Sequence, residues 1–285
     1  MASPEPRSVR ARLAMRLREL REATGTSGNA FAAHIGWQQS RVSKLETGVQ
    51  LPTPDDLTTW FKATNARDDA RRELVEMLKH ARVEYSSWRH TYASHVGAAA
   101  AQDSIAERER DVAHTREFAP TMIPGLLQTA EYAREVLNSP SGPTAHGAAA
   151  EDIESMVAAR IRRQDILYQQ HRSAGFVLGE GALRYRFGAP ETMTGQLDRL
   201  AVLAGLATVD LAVIPFATPL PAYPLGMFKL YGDTLAMVES LQGEQLAFDA
   251  QQIADFERCY ELLRKSAIEG AEAIGFVRRV AAELR

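Results

Sequence analysis

Apolar side chains recur at helical spacing through the first part of the chain. Over residues 9–23, Leu13, Leu17 and Leu20 alternate with arginines, which predicts a helix with a basic outer face. Those arginines are Arg10, Arg12, Arg16, Arg18 and Arg21. Three further short helices are predicted, each with apolar residues on one side. These residues are Phe31, Ala32 and Ile35 in the second helix, Val42 and Leu45 in the third, and Leu57, Trp60 and Phe61 in the fourth. The N-terminal part of the chain is therefore predicted to be all-α.

Turn-forming residues separate these helices. The second predicted helix ends at Gly36, and the third extends from about Gln38 to a stop at Gly48. The fourth helix is capped by either Thr53 or Asp55, because both side chains carry an oxygen that accepts a hydrogen bond from a free backbone N–H.

A longer helical pattern follows from Asp68 to Ser94, with apolar residues at close to helical spacing. We predict a helix there that connects two domains, with the boundary near residue 90. The N-terminal domain with its connecting helix then spans 1–90, and the larger C-terminal domain spans 91–285.

The C-terminal part mixes strand-like with helix-like segments. β-branched and aromatic residues predict strands at 176–178, 209–214, 227–231 and 235–238. Helices are predicted at 129–137, 151–170 and 192–206, and two more within 253–284. The strand 209–214 is apolar on both faces except at Asp210, so we expect it to be central in its sheet. This domain is predicted to be α+β, with a small mixed sheet and two C-terminal helices.

Charged residues are distributed unequally along the chain. Residues 1–95 contain 15 Lys and Arg against 11 Asp and Glu, whereas the remainder contains 18 against 25. A basic first third favours contact with phosphates, and an acidic remainder is repelled by them. The single cysteine, Cys259, excludes an intrachain disulfide framework, and no segment has the pattern of a membrane span or a signal peptide. We expect a cytoplasmic protein without a membrane partner.

The segment 31–48 has the sequence Phe-Ala-Ala-His-Ile-Gly-Trp-Gln-Gln-Ser-Arg-Val-Ser-Lys-Leu-Glu-Thr-Gly. It resembles the helix-turn-helix of lambda-repressor-like regulators of the xenobiotic-response-element type. The resemblance implies that a recognition helix, 38–47, enters the major groove of double-stranded DNA. The residues that it places at the DNA are Gln38, Gln39, Ser40, Arg41, Ser43, Lys44 and Asn29. Glutamine pairs with adenine and lysine with guanine, so Gln39 and Lys44 are expected to select bases.

The chain departs from this pattern at the start of the second helix. Many members of that superfamily carry a glutamine there, which bridges a phosphate and the recognition helix, whereas this chain has Gly28. Either Asn29 or Ser27 takes over that contact. Arg41 is expected to contact either a base or a phosphate.

A second resemblance covers the C-terminal part. Residues 124–129 have the sequence Pro-Gly-Leu-Leu-Gln-Thr. It resembles the signature of an uncharacterised domain that follows helix-turn-helix regions in actinobacterial regulators. Further segments that match in the usual order are 160–164, 180–184, 193–197 and 213–216. The resemblance implies transcriptional control, often beside a small antagonist protein, but it implies no agreed ligand or reaction.

The sequence contains no catalytic or cofactor motif that we recognise. A Gly-x-Ser-x-Gly elbow, a phosphate-binding loop, a His-Glu-x-x-His pair and cysteine pairs are all absent from it. We therefore expect no enzymatic activity, no cofactor and no metal site.

Polar residues inside the apolar motifs of the C-terminal part allow two interpretations. These residues are Gln128, Tyr132, Arg160, Arg163, Gln164, Glu180 and Arg184. In the first interpretation they line a pocket for a small effector, which an arginine and Glu180 orient. In the second they are structural, so that Arg160 and Glu180 form a buried ion pair between helix and sheet, and Gln128 caps backbone groups.

These observations predict a sequence-specific DNA-binding transcriptional regulator. One recognition helix covers few bases, and proteins of this type usually bind as dimers, so we expect a homodimer formed by the C-terminal domain. That domain is also expected to bind a small-molecule effector or a small antagonist protein. The alternative is a DNA-tethered enzyme, or an antitoxin-like protein whose C-terminal domain binds a small partner protein.

Overall fold

The structure is a computed structural model that describes residues 9–81, 83–93, 98–220 and 226–284. Contacts divide the chain into two units. The N-terminal unit comprises Met1–Glu84 and Leu246–Gln252, and the C-terminal unit comprises Tyr85–Gln245 and Ile253–Arg285.

The N-terminal unit is built from helices, which confirms the all-α prediction. The helices are α1 (Val9–Glu22), α2 (Gly28–His34), α3 (Gln39–Glu46), α4 (Pro54–Thr64) and α5 (Asp68–Ala81). Of the two candidate caps of α4, the structure uses Thr53. Its hydroxyl accepts from the backbone N–H of Asp56 at 3.1 Å, and the Asp56 carboxylate accepts from the Thr53 N–H at 2.9 Å. Pro54 occupies the first helical position, where its missing N–H costs nothing.

Trp60 lies at the centre of the N-terminal unit. Its side chain is fully buried, its indole Nε1 donates to the Leu17 carbonyl at 3.1 Å, and its ring centroid is 4.7 Å from that of Phe31. Val42 and Leu45 of α3 are buried in the same core. The core therefore contacts one side of α3 and leaves its other side available.

An ion pair joins α1 to α3. The Arg21 guanidinium donates to both carboxylate oxygens of Glu46, at 2.5 and 2.9 Å, and also to the Thr26 carbonyl at 2.7 Å. Both side chains of the pair are at most 10% exposed. The prediction that Arg21 belongs to an exposed basic face is therefore wrong. Arg21 follows Leu17 by four residues, which places both side chains on the same buried side of the helix.

The rest of the chain combines helices with a sheet. Its helices are α6 (Trp88–Ala93), α7 (Ala98–Arg110), α8 (Ala130–Leu137), α9 (Ile153–Arg162), α10 (Glu180–Arg184), α11 (Pro190–Leu203), α12 (Ala250–Lys265) and α13 (Gly270–Glu283). Its strands are β1 (Val83–Ser87), β2 (His114–Ala119), β3 (Ser173–Gly179), β4 (Val209–Ile214), β5 (Phe228–Tyr231), β6 (Leu235–Ser240), β7 (Gly243–Ala247) and β8 (Ile268–Glu269). Short 3-10 helices lie at Gly125–Leu127, Pro143–His146, Ala150–Asp152 and Arg163–Tyr168.

The sheet is mixed, as predicted. Its strand order is β1-β7-β6-β5-β2-β3-β4-β8. The pairs β2–β3 and β3–β4 are parallel, whereas β2–β5, β5–β6 and β4–β8 are antiparallel. The four predicted strands correspond to β3, β4, β5 and β6, and both predicted C-terminal helices are present as α12 and α13. The α+β class of the C-terminal part is confirmed.

The prediction that strand 209–214 is central is wrong. This strand, β4, is second from one end of the sheet, beside the two-residue strand β8. Its side chains are apolar because helices pack on the strand, and not because the strand lies in the middle of the sheet. Leu211 and Val213 are buried in one core with Val277 of α13, and Ala212 on the other face is also fully buried.

The single helix predicted from Asp68 to Ser94 is also wrong. The chain leaves the helical conformation after α5, forms strand β1, and returns to a helix at α6. Ser94 itself lies outside the described residues. Pairing of β1 with β7, which is distant in sequence, overrides the local helical pattern.

Alternate residues of β2 and β5 lie on opposite faces of the sheet. In the register of these strands Glu117 pairs with Lys229, and Phe118 pairs with Phe228. The aromatic pair faces α12, where Phe256 packs with its ring centroid 5.2 Å from that of Phe228. The charged pair faces the layer that contains α7 and α9. This face of the sheet therefore carries buried charged side chains.

We expect Glu46→Gln to destabilise the N-terminal unit. The substitution leaves the buried Arg21 guanidinium without its carboxylate, and removal of one partner of a buried ion pair costs about 3 kcal/mol or more. Urea denaturation followed by far-UV circular dichroism measures the loss, and amide hydrogen exchange locates it in α1 and α3.

The matched control is Glu76→Gln. Glu76 pairs with Lys79 on α5, but both side chains are more than half exposed, so no measurable change is expected. Equal stability of the Glu46 variant and the control would show that the pair does not hold α3 in place.

Candidate functional site

One side of α3 presents polar side chains to solvent. Val42 and Leu45 are each 1% exposed and fix the opposite side of the helix in the core. The outer residues are Gln38, Gln39, Ser40, Arg41 and Lys44, all exposed, with Ser43 half-buried beside them. Gln38 precedes the helix as its N-cap and makes no side-chain capping hydrogen bond. The predicted base-contacting residues therefore form one accessible surface.

The turn between α2 and α3 sets the angle of this surface. Gly36 has a φ of +73°, a conformation that residues with a side chain rarely adopt. The Trp37 N–H donates to the Ala32 carbonyl at 2.8 Å, and the Trp37 ring lies 6.2 Å from the Trp60 ring. Trp37 thus packs against the core, and the turn holds α3 close to α2.

Arg41 is held more firmly than its neighbours on α3. Its guanidinium donates to Asp56 at 2.7 Å and lies 4.4 Å from the centre of the Trp37 ring. Asp56 also takes part in the cap of α4, so this carboxylate joins the start of α4 to α3. The contacts restrict the positions that the Arg41 guanidinium can take.

The start of α2 divides its polar side chains between two roles. Ser27 is the N-cap, and its hydroxyl accepts from the Ala30 N–H at 3.2 Å. Asn29, in the first turn, is exposed. The sequence offered Ser27 and Asn29 as substitutes for the glutamine that many family members carry at the position of Gly28. Ser27 is used as the cap of α2, whereas the Asn29 side chain is not.

The arginines of α1 differ in their surroundings. Arg16 donates to Glu19 at 2.5 Å and to Glu73 at 2.9 Å, and hydrogen bonds to Glu73 and then Glu19 raise its pKa. Arg18 pairs with Glu22. Arg12 is exposed. Of these cations, Arg12 is therefore the one with the most accessible charge.

In the C-terminal unit, the predicted polar residues tie down the loop that follows β2. The Gln128 amide donates to the Ile123 carbonyl at 2.7 Å, and its oxygen accepts from Arg160 at 2.8 Å. Gln164 donates to the carbonyls of Gly125 and Gln128, at 3.0 and 2.8 Å. The Tyr132 hydroxyl accepts from the Ile123 N–H at 3.3 Å. These side chains replace the backbone partners that an irregular buried loop lacks.

Glu180 and Arg184 lie together, apart from that loop. Glu180 accepts from Arg184 and from the Phe216 N–H, the latter at 2.7 Å, and Arg184 also donates to Glu283 of α13 at 2.6 Å. The ion pair between Arg160 and Glu180 that the structural interpretation assumed is therefore wrong. Glu180 begins α10, and Arg184 lies four residues later on the same helix, where the two side chains meet.

A cavity of about 60 Å³ lies between the charged face of the sheet and α9. Its polar lining comprises Glu117, Gln128, Arg160, Arg163, Lys229 and Glu239. Three of these six were expected from the sequence, and Glu117, Lys229 and Glu239 were missed. A single charge in a strand usually faces solvent, so only the apolar residues on both sides of Lys229 hinted at its burial.

Among the described residues, no group of three or more His, Cys, Asp or Glu side chains is arranged to hold a metal ion. No helix within the described ranges has both the length and the apolar character needed to span a bilayer.

Comparisons with known proteins identify both parts of the chain. Residues 12–74 match a helix-turn-helix domain, and residues 102–279 match a domain of unknown function, DUF5753. Comparison with curated proteins gives no match.

Two solved structures are distantly similar to the chain. NucT from Helicobacter pylori has a TM-score of 0.34 and 8% identity, and the match covers 66% of this chain and 97% of NucT. The archaeal chromatin protein TrmBL2, described as having a novel mode of DNA binding, has a TM-score of 0.31 and 11% identity, with 86% and 88% covered. Because the DUF5753 match spans more than half of the sequence, the chain belongs to the DUF5753 family and carries a helix-turn-helix domain at its N-terminal end.

Proposed function

We propose that the protein is a sequence-specific DNA-binding transcriptional regulator of the lambda-repressor-like type, acting in the cytoplasm. The observation that carries the proposal is the division of α3 into a buried apolar side and an exposed polar side. A helix of this kind, placed by a preceding helix and a tight turn, fits the major groove of B-form DNA.

The exposed residues of α3 have the chemistry needed to select bases. Gln39 and Ser40 lie in the first turn of α3, the end that helix-turn-helix proteins insert deepest into the groove. A glutamine amide pairs with adenine, and the Lys44 ammonium donates to the acceptors of guanine. Arg41 is assigned to a phosphate, because Asp56 and Trp37 restrict its guanidinium to the side of the helix near α4.

Phosphate contacts supply the part of the affinity that is independent of sequence. Arg12 is the candidate on α1, since its charge is accessible whereas Arg16 is engaged by two glutamates. Asn29 is the candidate at the start of α2.

For the C-terminal unit we propose binding rather than catalysis. The polar residues around the loop after β2 hydrogen-bond to backbone carbonyls and to one another, as Gln128 and Gln164 do. Such an arrangement maintains a shape more readily than it activates a nucleophile. The unit is proposed to form a homodimer and to respond to a small-molecule effector or a small antagonist protein.

We expect Gln39→Ala and Lys44→Ala to relax base preference at particular positions of the operator, by about 1 to 3 kcal/mol for each lost base contact. Selection from a random duplex library first identifies the preferred site, and gel-shift titration of single-base variants then measures the preference. Arg12→Ala is expected to weaken binding to all duplexes alike and to reduce the salt dependence.

Lys79→Ala, at an exposed lysine of α5, serves as the control and is expected to leave both preference and affinity unchanged. Unaltered base preference in both α3 variants would remove α3 as the recognition helix.

We also expect a dimer on the DNA. Light scattering of the free protein should give the mass of two chains, and footprinting should protect two half-sites whose centres are about one helical turn apart. A monomer that protects one short half-site would contradict the proposal.

A further inference from the structure

Two arginines that line the cavity beside α9 have buried N–H groups without a hydrogen-bond partner. The Arg163 side chain is 7% exposed, yet its Nε and Nη1 atoms are buried without a hydrogen-bond partner. The Nε of Arg160 is in the same situation. Buried donors are almost always satisfied in folded proteins, so unpartnered guanidinium N–H groups at a cavity indicate that something else occupies it.

The nearest carboxylate does not satisfy Arg163. Glu109 of α7 lies 3.7 Å from it, but the same Glu109 oxygen accepts from the Lys229 ammonium at 2.6 Å. Lys229 is also 3.6 Å from Glu117. Lys229 thus has two glutamates as partners, whereas the Nε and Nη1 groups of Arg163 have no hydrogen-bond acceptor.

A pair of guanidinium groups and a pair of carboxylates border the same space. Burial, and then the charge of Arg163, lower the pKa of Arg160 to about 10. Burial raises the pKa of Glu117 and of Glu239, and repulsion from Glu117 contributes to the shift of Glu239. The members of each pair repel each other, and Lys229 beside Glu117 and Arg160 near Glu239 offset that repulsion only in part.

The charges around the cavity also limit what it can hold. Arg160, Arg163 and Lys229 are balanced in number by Glu109, Glu117 and Glu239. A bare anion gains from the arginines but is repelled by the glutamates, and a neutral polyol compensates neither pair. A ligand with one negative and one positive group, close to neutral overall, compensates both.

Gly125 makes room for this arrangement. A Cβ atom at this position would overlap the Arg163 guanidinium, so any larger residue in the Pro-Gly turn after β2 would have to displace that side chain. Gln128 and Gln164 then fix the turn from the other side. The loop therefore packs against the arginines and leaves the cavity open.

We infer that this cavity binds a small zwitterion of amino-acid size, with its carboxylate on Arg160 and Arg163 and its ammonium group on Glu117 and Glu239. The cavity volume of about 60 Å³ favours a small ligand. This inference names the class of effector that the C-terminal unit binds. Binding itself does not depend on the proposed function, but the regulation of DNA binding by the ligand does.

Calorimetric titration of the full chain with each of the standard free amino acids tests the inference. At least one amino acid is expected to bind saturably. For the tightest binder, the N-acetylated form, which lacks the ammonium group, and the decarboxylated amine are each expected to bind about tenfold more weakly or worse. Inorganic phosphate and glycerol are expected not to bind.

Variants locate the binding site. Glu239→Gln, which is nearly isosteric, and Arg163→Met are each expected to weaken binding about tenfold or more. Gly125→Ala is expected to do the same by displacing the guanidinium. Arg162→Met, at the exposed arginine next to Arg163, is the control and should bind like the native chain. Circular dichroism checks that each variant is folded.

Three results would overturn the inference: no amino acid binds, phosphate or the N-acetylated form binds as tightly as the zwitterion, or a folded Glu239→Gln variant binds as well as the native chain. Because titration needs no DNA, these results are separate from the gel-shift experiment. A chain that binds an amino acid but no duplex would contradict the proposed regulator function and leave this site in place.

Discussion

The ion pair between Arg21 and Glu46 is the constraint on which the arrangement of the N-terminal unit depends. The α3 helix has eight residues, and helices of this length are not stable alone in water. Two apolar anchors, Val42 and Leu45, hold its inner side in the core. The two-pronged contact of Arg21 with Glu46 ties the C-terminal end of α3 to α1. The orientation of the exposed polar residues follows from these contacts.

The second unit depends on a comparable internal constraint. Its loop after β2 has few backbone partners of its own, and Gln128 and Gln164 supply them from the side. Both glutamines lie within residues 102–279, the part of the chain that matches DUF5753. Their role in holding a loop gives a physical reason for these polar residues to occur inside apolar motifs.

Much of the fold could be predicted from the sequence, because apolar periodicity is a local property. The short N-terminal helices and the strands β3 to β6 follow from it directly. The failures involve long-range pairing. The residues of β1 have a helical pattern in the sequence, but they pair with the distant strand β7 in the structure. The residues of β4 have the apolar pattern of a central strand because helices cover the strand, although β4 is second from the end of the sheet.

The candidate sites show the same limit. The outer side of α3 could be predicted, since a helix with two buried positions determines which residues remain outside. The cavity could be predicted only in part. Arg160 and Arg163 stand out as charges near apolar residues, but Lys229 and Glu109 meet across 120 positions of sequence, and no local pattern records such a contact. Arg21 was misplaced for the same reason, because its partner lies 25 residues away.

The different attachment of neighbouring residues on α3 has an evolutionary consequence. Arg41 and Glu46 are each bound to another helix, through Asp56 and Arg21, whereas Gln39, Ser40 and Lys44 are exposed on the outer surface. Under the proposed function, a duplicated copy of the gene can therefore acquire a new DNA target by changing two or three outer positions without losing its ability to fold. Changes at the two attached positions would instead be expected to occur together with changes in their partners, as correlated substitutions among descendants.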